Sequence, residues 1–115
     1  MKVFNNIEVT GYNNKPVNVQ INEKGDTRIL TWVEAFQFIL NNAPLKTQQD
    51  SINGMRLQLA LDKAKENGNN IEIEEGVHDW LKPIAEQFTP LIFRVNGNII
   101  YEHIKEGFDK TGQSR

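Results

Sequence analysis

The stretch Thr89–Tyr101, TPLIFRVNGNIIY, decides the fold: it is the densest apolar run of the chain, interrupted by Asn96-Gly97-Asn98. Asn-Gly between apolar flanks is a strong β-hairpin signal, because both residues tolerate the positive φ that a two-residue turn demands. The same letters also read as a buried helix. Thr89 would cap it, and Pro90 would be its first helical residue, where the missing N–H costs nothing. A helical wheel over 90–108 gathers Arg94, Asn98 and Lys105 on one narrow line. Leu91, Ile92, Phe93, Val95, Ile99, Ile100 and Ile104 surround most of the rest. As a hairpin, the segment pairs Arg94 with Ile99 and Leu91 with Glu102, so neither face is apolar. The pattern predicts the helix, with Gly97 at a close helix contact, and a hairpin at 91–102 is the alternative that would overturn it.

Two further helices precede it. Thr31-Trp32-Val33-Glu34 is a capping box, followed by a stripe through Phe36, Ile39 or Leu40 and Ala43, and closed by Asn41-Asn42-Ala43-Pro44. Thr47-Gln48-Gln49-Asp50 repeats the cap with a shorter acid, and Asn67-Gly68 ends that helix. Its apolar residues fall on two lines, Ile52, Met55 and Leu59 on one, Leu57, Leu61 and Ala64 on the other. Two lines mean two neighbours or one wide burial. After the brief extended piece Ile71–Glu74, Val77, Leu81, Ile84 and Phe88 have helical spacing. Pro83 is awkward inside that helix, which either kinks there or begins late, near Trp80.

The first 30 residues have a period of two instead: Ile7 and Val9, then Val17, Val19 and Ile21, alternate with polar neighbours. Gly11 to Pro16 and Asn22 to Asp26 are rich in turn formers, so a β-hairpin is predicted, with Thr27–Leu30 as a short third strand. The expected fold is α+β: an N-terminal β-hairpin or small meander packed on a four-helix C-terminal part. Residues 1–108 should form one domain, and the wholly polar 109–115 should be a mobile tail.

At 115 residues the chain is long enough to bury a core without covalent staples. The absence of cysteine excludes a disulfide scaffold, a thiol nucleophile and thiolate metal sites. MKVFNNIEV has no long apolar block, so neither a signal peptide nor a membrane anchor is expected there. With 13 basic and 15 acidic residues, net charge −2, and the basic residues scattered, no stripe offers itself to a phosphate backbone, which disfavours nucleic acid as a partner.

Glu75-Gly76-Val77-His78 is the best candidate for chemistry, since a Glu-x-x-His pair on one helix face can share a metal. A di-metal site would need a second such pair, and the other histidine, His103, has no glutamate three residues before it. Acids at a helix start are also what the helix dipole favours without any ligand. No Gly-x-Ser-x-Gly or Gly-rich phosphate loop occurs, and the serines are only Ser51 and Ser114, so no catalytic residues are assigned and no cofactor is expected. Tyr12 in the hairpin loop, and Trp80 and Tyr101 on a partly apolar surface, are the candidate partner contacts, although Trp80 also reads as a core-closing residue.

The order of Gly11–Pro16, Lys24-Gly25-Asp26, Leu30-Thr31 with Ala35, Ile39 and Leu40, then Asp50, Arg56 and Ala60, and Ile71–Glu74 before a helix resembles a family of small phage and prophage proteins of largely undefined function. The resemblance covers about residues 11–108, and Pro83 and Pro90 depart from it. It implies an intracellular, phage-encoded origin and favours the helical reading, and it supplies no catalytic residues. The function expected for the chain is that of a non-enzymatic interaction protein in the cytoplasm of a host cell, working through a host or phage protein or through self-association. A metal-dependent enzyme or metal binder using Glu75 and His78 is the alternative.

Overall fold

Neither reading of the deciding stretch is what forms. In the computed structural model, which describes residues 1–68 and 70–106, the chain does reverse at Asn96-Gly97, but it joins two helices rather than two strands. Helix α3 spans Glu75–Phe93, a single 3-10 turn covers Arg94–Asn96, and α4 returns over Gly97–Glu106. The arms are antiparallel: Gly97 lies against Pro90 near the turn, while His78 near the start of α3 bonds the carbonyl of Ile104 near the end of α4. A Cβ at Gly97 would sit 2.7 Å from the Pro90 Cα and 2.8 Å from the Thr89 carbonyl, so the expected close helix contact at Gly97 is there.

The helix start expected at Thr89 and Pro90 is overturned. Thr89 is buried inside α3, and its hydroxyl donates back to the Ala85 carbonyl at 2.8 Å instead of capping a new helix. Pro83 and Pro90 both lie within α3. Each removes one backbone hydrogen bond, and they fall seven residues apart on the exposed side. The expected four-helix part becomes α1 (Trp32–Asn42), α2 (Gln48–Asn67) and a third helical unit folded back on itself, of which α4 is the return arm.

The N-terminal meander forms as expected, with one addition. Backbone N–H groups of Val9, Val17 and Leu30 donate in a ring, Val9 to Leu30, Leu30 to Val17 and Val17 to Val9, at 2.8–2.9 Å. These three side chains are buried, so the ring ties three passes of chain together over the core. Strands β2 (Asn18–Gln20) and β3 (Thr27–Ile29) then continue as an antiparallel pair around the Asn22–Asp26 turn, where the Asn22 side chain bonds Lys24, Asp26 and their turn backbone. The addition is β1 (Lys2–Phe4), which pairs antiparallel with β4 (Ile71–Ile73). It carries Phe4 into the centre, edge-on to Phe36 at 4.9 Å and beside the rings of His78 and His103.

Helix starts are built as the caps require. Thr47 Oγ1 accepts from the Asp50 N–H at 3.0 Å while Asp50 accepts from the Thr47 N–H at 3.2 Å, a reciprocal box. At α1, Glu34 reaches back to the Thr31 N–H at 3.4 Å and also pairs with Arg28, and Asn6 Oδ1 accepts from the Val33 N–H. A reciprocal amide pair, Gln37 with Gln58 at 2.8 and 2.9 Å, fastens α1 to α2. One core cluster gathers side chains from every helix, from the meander and from both strands of the β1–β4 pair. Among the described residues no helix is long and apolar enough to cross a membrane. The tail expected at 109–115 lies outside the described residues.

Candidate interaction surfaces

Glu75 and His78, the suggested metal pair, are each otherwise engaged. Glu75 Oε1 accepts from the Met1 ammonium at 3.0 Å, which holds its carboxyl below the usual carboxylate range. His78 is buried, and its Nε2 lies 2.7 Å from the Ile104 carbonyl, so that nitrogen carries the proton and donates. Burial of the ring pushes its pKa down, with Lys82 and Lys2 acting the same way. Among the described residues no group of three or more metal-ligating side chains converges. The second histidine, His103, stacks on Trp32 with ring centroids 4.2 Å apart, and burial lowers its pKa as well.

Each of the three aromatic candidates stands in a different setting. Tyr12 is exposed on the hairpin loop, and its backbone N–H donates to Asn96 Oδ1 at 3.0 Å, so the loop is pinned to the α3–α4 turn. Trp80 is partly buried, and its Nε1 donates to Asp50 Oδ1 at 3.1 Å, joining α3 to the N-terminal cap of α2. That bond is the main reason the Asp50 carboxyl titrates low. Tyr101 lines a cleft between α3 and α4 with Glu86, Thr89, Pro90 and Asn98. Trp80 and the turn at Arg94 stand at opposite ends of α3, about 20 Å apart at 1.5 Å rise per residue. Trp80 thus ties α3 to α2 and also packs against the core.

The surface that the sequence left undecided lies on α2. Of its two apolar lines, Leu57, Leu61 and Ala64 face the core. Ile52, Met55 and Leu59 face outward, 37%, 55% and 59% exposed. Spacings of three and four put these three on one stripe, opposite the buried seam. Arg56 and Lys63 border it, and among the described residues neither has an acidic partner within 4 Å. No protein-family model, curated protein or solved structure matches the chain. The phage-family resemblance therefore stands on its residue pattern alone.

A second surface sits where β2 meets the end of α3. A cleft of 480 Å³ is lined by Asn18, Val19 and Gln20 of β2, by Phe38 of α1, and by Ile92, Phe93 and Arg94. Phe38 and Phe93 meet edge-on within it, ring centroids 6.4 Å apart. Arg94 adopts φ 56° and ψ −121°, a region that favours glycine, so an arginine there is strained by about 1–3 kcal/mol. Its N–H still closes the last turn of α3 on the Pro90 carbonyl. Sequence reading placed Arg94 on the exposed line of a helix, and no sequence signal marks the strained turn it occupies.

Proposed function

We propose that this is a non-enzymatic interaction protein, working in the cytoplasm through a protein partner or a second copy of itself, and that the outer face of α2 is its contact surface. The observation that carries the reading is the stripe Ile52, Met55 and Leu59, held in water by a helix whose opposite side already fills the core. Scattered apolar residues on a surface need no explanation, but a line of three on a rigid twenty-residue helix is a ready anchor for a partner's side chains. Exposed Arg56, Asp62, Lys63 and Glu66 give the stripe a border of mixed charge. A phage-encoded accessory factor, aimed at a host protein or at assembly, is the biological setting the residue pattern suggests. The metal reading draws no support from geometry, because Glu75 and His78 both serve other bonds.

The test compares the wild-type protein with a Met55→Glu/Leu59→Glu double variant in native mass measurement and affinity capture. The expected result is a defined complex with wild type that the double variant loses while keeping its circular dichroism spectrum. A monomeric wild type that captures nothing the variant does not also capture would reject the reading.

A further inference from the structure

We infer that the free edge of β2, with the cleft beneath it, is a second binding site, which takes an extended segment of a partner protein as an added β-strand. Two bonds fix the ladder: Leu30 N–H donates to Val17 and Ile21 N–H donates to Asp26, at 2.8 and 2.9 Å. In the observed register, Asn18 with Ile29 and Gln20 with Thr27, alternation turns the N–H and C=O of Asn18 and Gln20 away from β3. Val9, which precedes β3 as a neighbour of this pass, bonds Val17 on the β3 side, so the other edge is left open. Pro16 lies on that open edge, where no backbone donor is needed. Among the described residues no backbone group pairs with the outward groups of Asn18 and Gln20.

An added strand places every second side chain on the same face as Val19. That face opens on Phe38, Ile92 and Phe93, so an apolar side chain of the incoming segment has a floor to sit on. Backbone bonds would give affinity and this pocket would give selectivity, the division of labour in strand-addition recognition. Arg94 completes the site. It lines the same cleft, is exposed and, among the described residues, has no ion pair. The chemistry it asks for is a carboxylate side chain near the seated apolar residue. Edge-to-edge pairing of β2 with the β2 of a second copy does not meet that demand, because Asn18, Val19 and Gln20 bring no acid. The strained backbone at Arg94 is consistent with a residue kept for binding rather than for stability.

This site is separate from the outer face of α2 and stands or falls by its own experiment. The full-length protein is panned against a displayed random heptapeptide library, and the enriched peptides are synthesised and titrated. The expected winners alternate β-branched or aromatic residues and carry Asp or Glu. Their affinity should fall at least tenfold in Arg94→Glu and in Asn18→Pro, and stay within twofold in Met55→Glu. Arg94→Gly guards against misfolding as the cause: it relieves the backbone, so it should melt no lower than wild type and still lose the acidic peptides. No enriched motif, or peptides that bind Arg94→Glu and Arg94→Gly as tightly as wild type, would overturn the proposal.

Discussion

Helices α2 and α3 are nearly the same length, 20 and 19 residues, yet they meet water in opposite ways. Helix α3 keeps its apolar side chains inward through most of its length and shows solvent Glu75, Asp79, Pro83 and Glu86, until Leu91 breaks the pattern at its end. Helix α2 is apolar on both sides. Its inner line fills the core, and its outer line is left exposed. A helix that keeps large apolar groups where packing does not need them is the one to suspect of a partner, whereas the prolines of α3 lie on a side that is mostly polar.

The largest effect that would break this comparison lies within α2 itself. Leu61→Ala removes a fully buried side chain and should cost about 2–5 kcal/mol in urea unfolding, whereas exposed Leu59→Ala should stay within about 0.5 kcal/mol. Equal losses would mean that the outer line is already covered within the monomer. Gly97→Ala comes next. The new methyl would meet backbone atoms of Thr89 and Pro90, which cannot step aside as a flexible side chain would, and should cost about 1–3 kcal/mol. A neutral result would separate α3 from α4. Arg94→Gly is a smaller change of opposite sign, raising the melting temperature through a gain of about 1 kcal/mol as the positive φ is relieved.

The pH dependence is a matter of direction. Burial lowers the pKa of both His78 and His103 in the folded state, so below the ordinary histidine value of about 6.5 the unfolded chain binds more protons than the native one. Their contribution to stability is therefore present above pH 6.5 and is lost as the pH falls through their folded-state values. Thermal melts from pH 8 to pH 5 should show a falling midpoint, and His78→Gln should flatten part of the slope. A midpoint that rises on acidification would show that the rings are not buried neutral.

Much of the frame was legible in the sequence because local chemistry dictated it. Thr47 and Asp50 could cap only by reciprocal bonds, and Gly68 ends α2 in the left-handed conformation its place implied. Asn22 to Asp26 closed the β2–β3 turn as turn formers do. What escaped was set by distant parts of the chain. Thr89 looked like a cap because nothing local says that its hydroxyl will turn back to Ala85. Asn96-Gly97 did announce a reversal, but the type of element on either side depended on Pro90 lying where Gly97 could pack. The pairing of β1 with β4 joins residues about seventy positions apart and leaves no pattern in either strand. The site was harder still. Both lines of α2 were visible, but only the position of the core could say which one faced water, and the open edge of β2 follows from a ladder register that alternation alone does not fix.

The most direct measurement places a photoreactive amino acid at position 59 on the outer face of α2 and, in a separate protein, at position 86 on the solvent side of α3. Both are irradiated in the cells that make the protein. A covalent adduct to a second polypeptide, formed from position 59 and not from position 86, is the result predicted here. Adducts from neither position, or equal adducts from both, would contradict the assignment of α2 as the contact surface.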